Sequence, residues 1–528
     1  MYFRKTKIVC TLGPASSDKK VIKSLIESGM NVARLNFSHG DEDTFESLIL
    51  TIRELSNDIA ILIDLPGPKI RTGKQLQKEI VLKKNSDIIL SNIKEFSDEK
   101  NIAIDYKYLT KDVERNNLIF IDDGKIKLKV LYALNQNELL CKIIKEGILK
   151  TEKGVNFPNV SLSVPSVTDN DFKALKFGAE HNADMFAVSF VRKSDDIETV
   201  KNFLEINYPS KKFFIISKIE KSEAIENIYK ITEISDGIMV ARGDLGVETP
   251  IETIALKQKM IISVANSLNK PVITATQMLE SMVSNESPTR AEVTDITNAL
   301  LDGTDAVMLS EETAVGLYSQ LSAECMEKII ATTEGSSFFM NLLLSKGEVN
   351  NIISNFNVNK LENSYKKYEN NEKKESDIVF NRKVRQGIDN ISYAAAKMAV
   401  LSSFTLEDSF IAAITRTGYT ANLISSFRPI VPIIAIVPDL SVKRRLALNF
   451  GVISLVMEKI AEKNVQIEDI VKFIKDDNSY KIKNNKKNNQ FRFTSNFSEF
   501  KYAIITGGLP IGEPGSTDFV RIIDLRKN

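Results

Sequence analysis

The sequence predicts an α/β protein: a (β/α)8 barrel of the TIM type, a small β-barrel inserted into it as a lid, and a C-terminal α/β domain. Three observations carry this expectation. Eight short, apolar, β-rich runs alternate with helix-period segments up to residue 309, one connection between them is far longer than the rest, and a second strand–helix alternation begins near residue 410.

The eight runs are Lys7 to Cys10, Val32 to Phe37, Ile59 to Asp64, Met185 to Phe190, Phe213 to Ile219, Gly237 to Ala241, Pro271 to Ala275 and Asp305 to Leu309. Helical segments such as Asp18 to Ser28, Ile251 to Leu268 and Thr289 to Leu300 fall between them. After the third run about a hundred residues intervene before a helix near Asp171 to Glu180. Alternating patterns such as Leu118 to Ile121 and Lys125 to Val130 mark this stretch as a small all-β insert. A helical stretch near Ser322 to Thr333 follows the eighth run and leads into Glu348 to Ser376, where Asn, Lys and Glu dominate and a disordered insertion is expected. Further strands are expected at Phe410 to Thr415, Ile433 to Val437, Val452 to Leu455, Tyr502 to Thr506 and Phe519 to Ile523. A Lys/Asn-rich tract interrupts them near residues 476–490, and such a tract reads as a solvated loop rather than a nucleic-acid contact. The expected division is 1–67 with 167–335 for the large barrel, 68–166 for the insert and 336–528 for the C-terminal domain.

Composition narrows the function classes. The chain has 528 residues, 43% of them hydrophobic, enough for roughly three cores. Its 70 basic and 69 acidic residues nearly cancel, so no overall field favours nucleic acid or an anionic membrane, and anion recognition must be local. No apolar run reaches the ~20 residues that span a bilayer, and no signal-peptide core or transit peptide is recognisable, so cytoplasm is the expected location. Cys10, Cys141 and Cys325 lie far apart without metal spacing, and free thiols in a reducing compartment are expected.

In this architecture the chemistry sits where the strands end. The second run ends in Arg34-Leu35-Asn36-Phe37-Ser38-His39-Gly40, and the third in Asp64-Leu65-Pro66-Gly67-Pro68-Lys69-Ile70-Arg71. The fifth delivers Lys218 and Glu220, the sixth Gly243 and Asp244, the seventh Thr276. Glu220 and Asp244 offer two carboxylates of the kind that hold Mg²⁺ together with water and substrate phosphate, while Arg34 and Arg71 offer planar donors for phosphate. Each has a bland competitor: a lysine or arginine at a strand end is commonly an ion-pair partner, His39 an ordinary hydrogen-bonded side chain, and Thr276 a cap for the helix that follows it.

Taken in order, Lys7 to Pro14, Asn31 to Gly40, Lys153 to Pro158, Ser217 to Glu220, Asp236 to Glu248 and Pro271 to Arg290 resemble the motifs of pyruvate kinases across nearly the whole chain. The longest is Thr274-Ala275-Thr276-Gln277-Met278-Leu279-Glu280-Ser281-Met282. The resemblance implies transfer of the phosphoryl group of phosphoenolpyruvate to ADP, giving ATP and an enolate that is protonated to pyruvate. It implies that Lys218 stabilises the phosphoryl group in flight, that Glu220 and Asp244 hold Mg²⁺ or Mn²⁺, and that the amides of Gly243 and Asp244 receive the substrate carboxylate. It places Thr276 at the protonation step, Arg34 on the substrate phosphate, and Arg71, His39 and Lys153 near the nucleotide. It also implies a homotetramer.

One position departs from the common family pattern. Many members carry Glu where this chain has Lys69 and require K⁺ beside the substrate phosphate. Lys69 resembles the branch that works without K⁺, its ammonium supplying the missing unit charge, with Asn36, Ser38 and Asp64 then expected as hydrogen-bonding supports for Lys69. That branch includes plastid enzymes, so a plastid-type organelle is the alternative location. In the C-terminal domain Thr415, Thr417, Gly418 and Thr420, with Gly512 to Thr517, resemble a phosphate-binding effector site, the competing reading being a capped turn. Two other functions stay open: another barrel enzyme acting on phosphoenolpyruvate, and a catalytically silent scaffold, which would be expected to lack Lys218, Glu220 or Asp244.

Overall fold

The computed structural model describes residues 3–77, 79–349, 390–461, 465–476, 500–511 and 517–526. The expected inserts near 348–376 and 476–490 fall, from residues 350 and 477 onward, outside these, as do Gly512 to Ser516.

The eight apolar runs become eight parallel strands: Lys7–Leu12, Val32–Asn36, Ala60–Asp64, Met185–Val188, Phe214–Ile219, Gly237–Ala241, Val272–Ala275 and Ala306–Leu309. They close in chain order, the first pairing with the last through Lys7↔Ala306 to Cys10↔Leu309. Such strands are buried on both faces because side chains alternate between the barrel interior and the helical shell. Val9, Leu62, Met185, Ile216, Met239, Ile273 and Met308 fill the interior, and Leu448 of the C-terminal domain packs with them, stoppering the end where the strands begin.

The insert leaves after the third strand and returns before the helix Asp169–Glu180. Its main sheet has six strands in the order Val155–Asn156, Leu118–Ile121, Ile126–Asn135, Glu138–Lys145, Asp87–Ser91 and Asn101–Ala103, around a separate apolar core. Two short two-stranded ribbons accompany it, and among the described residues no continuous ladder closes these pieces into the small β-barrel expected from the alternation. The neck of the insert is a pair of extended segments joined by an isolated antiparallel bridge at Arg71↔Gly154 and by Thr72 N–H to Lys153 O at 2.8 Å.

The C-terminal domain carries five strands in the order Val452–Val456, Ile433–Val437, Ser409–Ile414, Tyr502–Gly507 and Phe519–Asp524. The first four run parallel and the last antiparallel, with an apolar cluster on each face. Arg428 docks this domain on the barrel by donating to Thr304 O at 3.0 Å and pairing with buried Asp305 at 3.1 Å.

Candidate active site

Because all eight strands run the same way, their last residues share one rim. There the fifth strand buries Lys218, whose ammonium lies 3.1 Å from Asp64 Oδ1 and 2.9 Å from Glu220 Oε1 and donates to Ser189 Oγ at 2.8 Å. Burial alone would lower its pKa, but Asp64 and Glu220 outweigh that and hold the amine firmly protonated. Asp64 resists burial for the converse reason and is held below the usual carboxyl range by Lys218 and Arg34. Arg34 is aimed by two contacts, Nε to Asp64 Oδ2 at 2.7 Å and Nη1 to Thr11 Oγ1 at 2.9 Å. Its other terminal nitrogen has no partner among the described residues.

Glu220 differs in sign. Burial pushes its carboxyl up, Lys218 opposes this and neighbouring Asp244 adds to it. Glu220 Oε2 accepts from the Phe190 amide at 2.7 Å, whereas Oε1 is buried and accepts no well-directed hydrogen bond. A buried carboxylate oxygen whose one close partner is the Lys218 ammonium, beside a second, half-buried carboxylate, is a donor set that suits a divalent ion with oxygen ligands.

Thr276 sits at φ +66° and Gln277 at +54°, left-handed conformations that β-branched residues rarely adopt. Thr276 Oγ1 accepts from the Gly243 amide at 2.8 Å, so Thr276 caps the neighbouring helix Arg242–Glu248 rather than its own. The Gly243 amide, expected to receive the substrate carboxylate, is engaged by Thr276 in this structure. Arg242 holds the strained turn from behind, donating to Ala275 O at 3.2 Å and Thr276 O at 2.6 Å.

Lys69 lies beside His39 with Arg71 and Arg34. Burial and these three cations lower the pKa of exposed His39, against the pull of Glu311. The expected supports do not reach Lys69: Asp64 is committed to Arg34 and Lys218, and Asn36 Oδ1 accepts the Ser38 amide at 3.2 Å. Arg71 donates to Glu152 O at 3.0 Å in the neck of the insert, and Lys153 faces Asp122 of the insert at 3.6 Å rather than the rim. The insert leans on the barrel through Glu248, whose Oε1 accepts from Asn156 at 3.1 Å and Lys221 at 2.5 Å. Gly67 at φ +64° permits a close pass beneath the insert, since a Cβ there would stand 2.6 Å from the Phe190 ring. Asp171 ties that loop down by accepting the Gly67 amide at 2.8 Å.

Sequence reasoning gave no role to Ser189, nor to Arg242 and Thr11, which it placed only within strand-end motifs. Ser189 follows the fourth strand directly and Thr11 lies near the end of the first, so the strand-end rule was the available signal. In the C-terminal domain Thr415 Oγ1 accepts the Gly418 amide at 3.0 Å, and the Thr420 and Thr517 hydroxyls meet at 2.8 Å, at the start of the helix Tyr419–Ser426.

Comparison with known proteins gives the same reading. Residues 3–323 match the pyruvate kinase barrel domain and residues 391–523 the pyruvate kinase alpha/beta domain. The chain is 37% identical to a pyruvate kinase of Thermococcus litoralis, over 99% of this chain and 98% of that one. It is 37% identical to one of Staphylococcus saprophyticus over 98% and 80%, and 40% identical to one of Clostridium perfringens over 85% and 88%. A crystal structure of a pyruvate kinase from Cryptosporidium parvum superposes with a TM-score of 0.81 at 30% identity, covering 99% of this chain and 96% of that one. With its rim of buried Lys218, Glu220 and Asp64, its barrel and its C-terminal domain, this phosphotransferase belongs to the pyruvate kinase family.

Proposed function

We propose that the protein transfers the phosphoryl group of phosphoenolpyruvate to ADP and releases pyruvate, using Lys218, Glu220, Asp244, Arg34 and Thr276. The observation that carries this reading is the Lys218 ammonium, buried and held protonated between Asp64 and Glu220. A fixed positive charge of this kind stabilises the phosphoryl group between donor and acceptor without reorganisation. Arg34, aimed by Asp64 and Thr11, supplies its remaining N–H donors to the substrate phosphate. Glu220 and Asp244 hold the divalent ion; when bound, Mg²⁺ or Mn²⁺ supplies Lewis acidity toward phosphate and enolate oxygens. Thr276 Oγ1 relays a proton to the enolate carbon through water, the strained turn keeping the hydroxyl in place. Arg71, His39 and Lys153 serve the nucleotide, Lys153 after a movement of the insert that breaks its pairing with Asp122 and excludes water from the rim. Coupled ATP formation from ADP and phosphoenolpyruvate tests the reading. Lys218→Met is expected to lose about 10³-fold in kcat, and a variant with near-normal turnover overturns the role.

We further propose that turnover does not need K⁺. Lys69 supports this, because its ammonium adds to the positive field of Arg34 and Arg71 around His39, where a second cation would be repelled. Assays in tetramethylammonium buffer with and without K⁺ are expected to agree, and strong stimulation by K⁺ defeats the proposal. The threonine turn at Thr415, Thr417, Gly418 and Thr420 is assigned to a phosphorylated effector, its hydroxyls and glycine standing at a helix start. The proposed division is 1–67 with 167–335, 68–166 and 336–528; the separate cores of barrel and insert support its first two boundaries, while Phe339 and Leu343 pack into the barrel's core. Family membership supports a homotetramer; cytoplasm, or alternatively a plastid-type organelle, is the proposed location.

A further inference from the structure

The short helix Leu440–Arg445 ends in three consecutive cations that face the foot of the barrel, opposite the catalytic rim. The first two find acids: Lys443 pairs with Asp58 at 2.6 Å and Arg444 with Asp184 at 3.5 Å. Arg445 does not. Among the described residues it has neither ion pair nor hydrogen bond, and its Nε is buried without an acceptor. A buried donor left unmatched costs about 1–3 kcal/mol, so a fold that keeps one invites a ligand.

What Arg445 borders is an open cavity of about 500 Å³ at the foot of the barrel, to which the C-terminal domain contributes Arg445, within the size range of small-molecule sites. Lys201, Lys211 and Lys212 also line it, against the carboxylates of Asp236 and Glu205. Asp236 attracts Arg445 only from a distance, its Oδ1 taking Lys201 at 3.2 Å and its Oδ2 the Ile215 amide at 2.9 Å. Lys211 is braced on Ala179 O at 2.7 Å and Asn182 Oδ1 at 3.0 Å. Lys212 is exposed and, like Arg445, has no partner among the described residues. Pro209 and Phe213 provide an apolar wall beside these charges.

We propose that this cavity is an anion site for the phosphoryl group of a small phosphate monoester, held between Arg445 of the C-terminal domain and Lys212 of the barrel. The guanidinium offers a bidentate fork to phosphate oxygens, Lys212 a mobile point charge, and the apolar wall room for an organic substituent. Because the two cations come from different domains, an occupant ties the foot of the barrel to the C-terminal sheet.

Lysine acylation followed by peptide mass spectrometry reads the site directly, away from other phosphate-binding places on the molecule. With phenyl phosphate present, Lys212 is expected to react at least fivefold more slowly, while exposed Lys23 keeps its rate. Inorganic phosphate as a second arm separates the sources: weaker protection than by phenyl phosphate supports a monoester, and equal protection overturns that part of the proposal. Arg445→Gln is expected to abolish protection and leave basal turnover unchanged, and Arg445→Lys to keep part of it. Unchanged reactivity of Lys212 in the wild-type protein, or full protection in Arg445→Gln, overturns the site.

Discussion

Glu220 shows how one side chain's surroundings set its chemistry. Its carboxyl is raised by burial and by Asp244, so the protonated form stabilises the fold fully below the ordinary carboxyl range, and that contribution is lost as pH rises through the raised value. In the role proposed for Glu220, a divalent ion would bind the ionised form and offset the loss. Thermal shift by Mg²⁺ is therefore expected to be small at pH 5 and larger at pH 8, approaching about 2.7 kcal/mol of stabilisation at a hundredfold excess over Kd. Glu220→Gln should flatten the difference; equal Mg²⁺ shifts at both pH values in the wild-type protein would falsify the assignment. That Lys218, Glu220 and Asp244 gather at one rim was legible in the sequence because each stands at or just past the end of an apolar, strand-like run. Ser189 was not, since a serine after a strand is ordinary until a lysine from the next strand is seen to rest on it. The supposed supports for Lys69 failed for a related reason: a buried carboxylate goes to whichever cations are buried with it, and for Asp64 these are Arg34 and Lys218.

Among the elements, the turn after the seventh strand stores strain of about 1–3 kcal/mol at each of its two left-handed residues. Arg242, reaching across from the start of the helix that follows the sixth strand, keeps it in shape and is a positioning residue rather than a catalytic one. Replacing it by Gln is expected to lower kcat about 10²-fold through misplacement of Thr276, with KM for phosphoenolpyruvate changed far less. Steady-state kinetics with circular dichroism as a folding control decides this, and a loss confined to KM would count against it. The strands themselves were readable to within one or two residues, because period and apolar run length carry that information. A threonine forced into left-handed backbone was not readable, since local propensity argues against it and only the bracing arginine makes it tenable. The insert shows the same limit: its alternation announced strands, while their pairing into a six-stranded sheet with two ribbons depends on partners distant in sequence.

At the scale of the whole molecule, the barrel and the C-terminal domain share a buried joint in which Arg428 meets Asp305 and Leu448 enters the barrel's foot. Removing one member of a buried pair leaves the other uncompensated. Arg428→Met is expected to destabilise the protein by about 3–5 kcal/mol and to separate unfolding of the C-terminal domain from that of the barrel; a single unshifted calorimetric transition would contradict this. None of this joint was visible in the sequence, because its members lie more than a hundred positions apart and carry no pattern. Closure of the ring has a further consequence during biosynthesis. The opening strand finds its last neighbour only across Lys7↔Ala306, and at roughly 5–20 residues per second a ribosome needs on the order of fifteen to sixty seconds to deliver that partner. Throughout that interval the nascent chain displays bare strand edges, so its yield in cells should depend on chaperones that shield them.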